Sequence, residues 1–386
     1  MMVHDTKLLE DLALLEEANS LLNAGFINKE QFNSIKKELP DFKQNSILVQ
    51  IGFFFLGVFL YSSICCAISL LGIDGSEVFW KICFYIFTII GITGAEFLAK
   101  EKYYQHGLDD AFIVGTILNF GIAVGITSDG YELVIAIFVA LISFLMYRRY
   151  LYTPAMLIFC CAFTAVLFYG LFEFGEIGKT ILPFVAMLTS LGFYFFSKKA
   201  IKDLKEKYYY NGLLLINSFC LILFYLSCNY LVVRELSVML LDNEIRPGED
   251  IPFAFFFWSF TAIVPLVYLY QAIKIHDRIM LWISFLAIAF SIFTIRTYHS
   301  VLPIEIALAL GGVALFAVAY LSIQKLKYKE TGLTFKPDRI NNSNAINAEA
   351  LIVASTFGMK PEVKPQNSPM EFGGGGFSGG GSDGSF

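Results

Sequence analysis

Charge is scarce in this chain. Of its 386 residues, 16% are Asp, Glu, Lys or Arg and 56% are hydrophobic, whereas a soluble domain has about 25% charged and about 45–50% apolar residues. One buried core cannot absorb that excess, so an ordinary soluble domain is excluded and a lipid-facing surface is implied. The net charge is −5 and the Lys and Arg are spread along the chain, which leaves no basic patch for nucleic acid. Histidine is rarer still: His4, His106, His276 and His299 fall in the tail and loops, with no spacing that would hold a metal. There is no phosphate loop and no Ser-His-acid arrangement, nor a Ser-His or paired-Asp set at depth in the apolar runs for an intramembrane protease. Nothing here points to an enzyme, a cofactor or a metal site. A cleavable signal peptide is absent too, because residues 1–45 are polar and charged before the first apolar run; insertion is expected to use the first span as an uncleaved anchor.

What is present is apolar length. A bilayer core needs about 20 apolar residues in a helix, with a usable range of about 17–25. Ten runs qualify: 46–72, 78–99, 109–127, 131–147, 151–172, 179–197, 212–233, 251–273, 279–295 and 301–323. The expected fold is an all-α integral membrane protein of about ten transmembrane helices. Forty Phe and twenty Tyr suit a lipid-facing surface with an aromatic interfacial belt. Lys and Arg mark the cytoplasmic loops. They concentrate after even-numbered spans: Lys100 and Lys102, Arg148 and Arg149, Lys198 to Lys207, and Lys274 with Arg278. The opposite loops carry Asp74, Glu77, Asp129, Glu132, Glu173 and Glu176. Both ends of the chain are therefore expected in the cytoplasm. The seven cysteines (Cys65, Cys66, Cys83, Cys160, Cys161, Cys220 and Cys228) all lie inside apolar runs and read as small packing residues.

Residues 1–45 form a cytoplasmic helical hairpin. Leu8, Leu12 and Leu15 share a face, Gly25 stands where a left-handed cap would end the first helix, and Asn28 with Gln31 has capping-box spacing ahead of a helix that stops at Pro40. It is either a lid packed on the cytoplasmic face or a docking module for a protein partner. Residues 324–386 form a cytoplasmic tail, with a short helix expected near Ala348–Thr356 and a Gly-rich, disordered end at 372–386.

An internal repeat adds a constraint. Lys100-Glu-Lys-Tyr-Tyr-Gln-His-Gly-Leu108 matches Lys205-Glu-Lys-Tyr-Tyr-Tyr-Asn-Gly-Leu213 at seven of nine positions, and Lys325 to Leu333 keeps part of the pattern. The first two copies each precede four spans, which predicts a tandem four-helix unit over 100–204 and 205–324. Such a parallel unit argues against the inverted five-helix halves of the drug and metabolite transporter architecture.

Ionisable residues within spans usually mark a transport or proton path, and few occur. Glu96 has Lys100 one turn on, the favourable order for a helical ion pair. Glu305 lies roughly 6 Å into the tenth span, with Arg296 and His299 just before it. These three either bind or gate a small anion or proton, or form an Arg–Glu pair that anchors a tight hairpin. Asn119 and Asn217 are amides at mid-span that need interhelical partners, and Gly121 with Gly125 offers a small-residue surface for close packing.

The hairpin Leu21-Leu-Asn-Ala-Gly-Phe-Ile-Asn-Lys-Glu-Gln-Phe32, followed by Ile51-Gly-Phe-Phe-Phe-Leu-Gly-Val58, resembles a group of bacterial polytopic membrane proteins catalogued as domain of unknown function 2157, and Asp110 to Gly125 is similar in tone. The resemblance implies a bacterial cytoplasmic membrane and brings no activity or site residues with it. Two functional classes remain. One is a small-solute permease using Arg296, His299, Glu305 and Asn119. The other is a non-catalytic membrane scaffold or envelope-stress component, acting through its hairpin and tail.

Overall fold

The computed structural model describes residues 2–23, 25–39, 42–70, 76–204, 207–241, 250–275 and 277–298, together with positions 316, 320 and 324. Among these the chain is helical, with a lone bridge between Lys43 and Tyr103. Two short helices, α1 (Thr6–Asn23) and α2 (Lys29–Glu38), come first. Then follow α3 (Ile47–Ser69), α4 (Glu77–Lys100), α5 (Leu108–Thr127), α6 (Glu132–Tyr150), α7 (Thr153–Phe172) and α8 (Gly175–Lys202). After a 3-10 turn at Lys207–Tyr209 come α9 (Tyr210–Ser227), α10 (Tyr230–Leu241), α11 (Ala254–Ile275) and α12 (Arg278–Tyr298). Nine of the described helices, all except α1, α2 and α10, are long and apolar enough to cross a membrane. Their outward faces are strongly apolar: Leu48, Phe55 and Phe59 of α3 are 84%, 67% and 72% exposed. Lipid is the environment that accommodates such a surface, so the chain is a multi-pass helical membrane protein.

Nine of the ten expected spans correspond to these helices. Apart from Phe316, Tyr320 and Gln324, the tenth, 301–323, and the tail with its Gly-rich end lie outside the described residues, as does the third copy of the repeat. One expectation is corrected. The seventh span, 212–233, is not one helix: α9 stops at Ser227 and α10 starts afresh at Tyr230. Hydropathy cannot register this stop, because it is made by the Asn229 side chain rather than by a loss of apolar character.

The bundle pairs α4 with α5, α6 with α7, α8 with α9 and α11 with α12, and α3 leans on α5. Tyr61 of α3 ties the first group together. Its hydroxyl donates to the Phe87 carbonyl of α4 at 2.7 Å and accepts from Asn119 of α5 at 3.0 Å. The amide of Asn119 also donates to Gly115 one turn back, while Asn217 accepts from Ser197 of α8 at 3.2 Å. Both mid-span amides thus have interhelical partners. The small-residue expectation needs revision: a Cβ on Gly121 or Gly125 would stand 3.1 Å from Val139 or 3.5 Å from Ile135, so the second site has ordinary room. The tight approaches are elsewhere, notably at Gly91, where a Cβ would run into Thr116.

Glu96 is also corrected. It pairs with Arg149 of α6 and accepts from the Tyr150 hydroxyl at 2.9 Å, so the partner is a neighbouring helix rather than Lys100. A cross-helix guanidinium fits a carboxylate better than a lysine on the same helix. The expected hairpin forms with its capping box between Asn28 and Gln31 and Gly25 at φ +76°. The two described copies of the repeat differ locally. Gly107 caps α5 at φ +106°, while Gly212 lies inside α9 against the Tyr147 hydroxyl.

Gly107 meets two demands at once: a positive φ, and a Cβ position already taken by the Gln50 carbonyl of α3. Gly25 meets only the first, with open space around it. Gly107→Ala should cost about 3 kcal/mol against about 1 kcal/mol for Gly25→Ala, read as the relative loss of thermal midpoint in detergent.

Candidate functional site

The break between α9 and α10 gathers a buried polar network from four helices. Asn229 is fully buried and works in two directions. Its Oδ1 accepts from the backbone N–H groups of Leu231 and Val232 at 3.1 and 3.4 Å, which caps α10, and from the Thr294 hydroxyl of α12 at 3.3 Å. Its Nδ2 donates to the Tyr225 hydroxyl of α9 at 3.0 Å. Tyr225 and Ser291 of α12 share a hydrogen bond of 2.7 Å, and Ser291 donates on to the Thr261 carbonyl of α11 at 2.6 Å. Thr261 in turn accepts at its hydroxyl from the Tyr230 backbone N–H at 2.9 Å. The network joins α9, α10, α11 and α12 with amide and hydroxyl groups alone. Below it Cys228 packs toward Pro183 and Met187 of α8.

From Tyr230 the chain of contacts reaches the surface. The Tyr230 hydroxyl donates to Asp250 at 2.7 Å and accepts from Arg234 at 3.0 Å. The Arg234 guanidinium lies over the Tyr298 ring at 4.8 Å, and Tyr298 donates to Glu235 at 2.9 Å. Charges therefore collect at the rim, and neutral hydrogen-bonding groups line the interior.

The opposite end of the bundle carries α1. Leu8 and Leu9 of α1 are buried against Phe42 and Leu151, with Tyr104, Tyr208 and Tyr209 alongside. Both described copies of the repeat thus place tyrosines under one helix, and the loops after α4, α6 and α8 meet there. Leu151 adopts a left-handed backbone, φ 56°, which costs about 1–2 kcal/mol for a non-glycine residue; burial of its side chain under α1 offsets this. Just ahead of α1, the Val3 N–H donates to the Arg149 carbonyl at 3.1 Å, and His4 hydrogen bonds to the Tyr150 backbone. His4 helps to line a cavity of about 10 Å³, room for one water, together with Asp109, Asp110, Tyr104, Tyr150 and Tyr152. Asp109 accepts from the N–H groups of His106 and Gly107 at 3.1 Å, and Asp110 from Gln50 at 2.7 Å. Burial pushes the Tyr104 hydroxyl up to about 12 and the Tyr152 hydroxyl upward as well.

Of the residues singled out from sequence, Arg296 is exposed in the last turn of α12, at the same end as the helix break. His299 and Glu305 lie outside the described residues. Asn119 sits in the Tyr61 brace between α3, α4 and α5, in a different helix group from the break. The residues that sequence reasoning passed over are Asn229, Tyr225, Thr261, Ser291 and Thr294. The usable signal was Ser227-Cys228-Asn229, a helix-starting residue type in the middle of an apolar run. Among the described residues no group of three or more His, Cys, Asp or Glu is placed to hold a metal ion. No family model, no curated protein and no solved structure matches the chain. The fold itself defines the class: a polytopic helical membrane protein with one helix interrupted beside a buried polar network.

Asn229→Leu leaves two N–H groups and two hydroxyls short of a partner and should cost about 2–4 kcal/mol; Asn217→Leu, losing one hydrogen bond, should cost about 1 kcal/mol. Unfolding midpoints in detergent would rank the pair. At the other end, burial lowers the His4 ring from 6.5 to about 4, against the opposing pull of its Tyr150 hydrogen bond and the Glu96 charge. The docked segment therefore resists protonation more than the free segment does. His4 leaves docking unimpaired above pH 6.5 and weakens it as pH falls from 6.5 toward 4, by up to about 3 kcal/mol. Hydrogen exchange of α1, corrected for its intrinsic rate, should accelerate over that interval. His4→Phe should flatten the response, which separates the histidine from the nearby carboxylates of Glu96, Asp109 and Asp110.

Proposed function

We propose that the protein is a permease for a small, uncharged, hydrogen-bonding solute. The observation that carries this reading is the interrupted helix at Cys228-Asn229, set against the buried hydroxyls of Tyr225, Thr261, Ser291 and Thr294. Irregular backbone inside a membrane bundle is tolerated where it is enclosed by protein or lines a solute route, and discontinuous helices commonly build transporter binding sites. The described network is built of amide and hydroxyl groups, which suit a neutral hydrogen-bonding solute. Arg296, the one described member of the group expected with His299 and Glu305, stands at the same rim. The basic loops support a cytoplasmic position for α1 and both chain ends, and the hairpin's resemblance to the bacterial family supports the cytoplasmic membrane of a bacterium.

A second reading, a membrane scaffold, draws on one observation: α2 has no buried residue and carries Lys29, Glu30, Lys36, Lys37 and Glu38. It is thus available to a protein partner while α1 is docked.

Stopped-flow light scattering of proteoliposomes distinguishes the readings. Inward gradients of polyols, sugars and neutral amino acids should produce reswelling faster than in empty vesicles for at least one class, and Thr261→Val should slow it several-fold. Folded protein that accelerates none of them would leave the scaffold.

A further inference from the structure

Tyr230 is the first residue of α10, and its surroundings differ from those of every other residue around the break. It is 1% exposed, yet its hydroxyl is held by Arg234, which is half-buried, and Asp250, which is exposed. Its ring stacks on Trp258 with centroids 4.1 Å apart and planes 20° off parallel, and meets Tyr298 edge-on at 5.2 Å. Directly behind it are Cys228 and Asn229, both with no exposed surface. A bulky buried ring is thus latched by water-accessible charges at the only described end where the polar network approaches the surface. The helix that carries it is short, 12 residues, and packs on α8, α9 and α11 far less extensively than α8 and α9 pack on each other. Because the chain is already interrupted at Asn229, α10 can tilt without breaking a continuous helical hydrogen-bond ladder.

We infer that Tyr230 is a gate: with Trp258 and Tyr298 it closes, at the end of the bundle away from α1, the route from water to the Asn229 amide. The latch consists of Arg234 and Asp250 on its hydroxyl. Opening swings the ring off Trp258 and exposes Cys228 and Asn229 to water. The purpose of such a gate rests on the permease reading, but its existence is open to a test that requires no solute.

The buried thiol of Cys228 is the reporter. In the full chain in lipid nanodiscs, both faces are open to a charged methanethiosulfonate reagent, and mass spectrometry follows modification of Cys228 and Cys220 in the same molecule at one pH. Cys220 is also buried, on α9 two turns further from Tyr230. Removing the latch by Arg234→Met with Asp250→Ala, neither of which can hydrogen bond in its place, should speed modification of Cys228 about ten-fold, the effect of losing hydrogen bonds to a single hydroxyl, and leave Cys220 unchanged. Trp258→Ala, which removes the stacking surface instead of the latch, should do the same. Unchanged rates at Cys228 in both variants would overturn the gate. So would equal acceleration at Cys220, since that reports a loosened bundle. Faster Cys228 modification in a protein that moves no solute in proteoliposomes would retain the gate and remove the permease reading.

Discussion

In lipid, a backbone N–H or C=O without a partner costs several kcal/mol, and the organisation of this protein follows from how that demand is met. Nine of the described helices meet it within themselves. The interruption at Cys228-Asn229 cannot, and Asn229 supplies what is missing by accepting from Leu231 and Val232. Once one amide is committed to the backbone, its remaining donor and the hydroxyls around it need partners of their own. Tyr225, Thr294, Ser291 and Thr261 are drawn into a single cluster for that reason. The polar interior is thus a consequence of the break.

The first helix group solves a different problem. Here the helices are continuous, and what they need is close approach without a hydrophobic driving force between them. Glycines provide the approach, as at Gly91 and Gly107, and Tyr61 with Asn119 provides a directional tie. The Glu96–Arg149 pair adds a second tie near the end where α1 docks. That end is organised around tyrosines and around Leu151, whose left-handed backbone ends α6 with a hydrogen bond to Tyr147 and whose side chain is buried beneath α1. The two ends therefore differ in kind. One is covered by a separate helix and contains buried carboxyl groups, and at the other Tyr230 packs with Trp258 and Tyr298 and is held at its hydroxyl by Arg234 and Asp250.

The amino-acid sequence by itself determined the class of protein, the positions of eight spans and the start of a ninth, and the hairpin with its caps. These depend on local properties: run length against bilayer thickness, helical period, and the chemistry of Asn28, Gln31 and Gly25. It also marked Asn119 and Asn217 as residues in need of partners. Only the tertiary structure decided which partners they found, that Glu96 faces Arg149 of another helix rather than Lys100 of its own, and that Gly107 and Gly212 serve different purposes despite equivalent places in a repeat. The break at Asn229 was decided at the same level. A residue can begin a helix inside an apolar run only if Tyr225, Thr261, Ser291 and Thr294 arrive from three other helices to satisfy it, and their separation along the chain hides that meeting from any local reading.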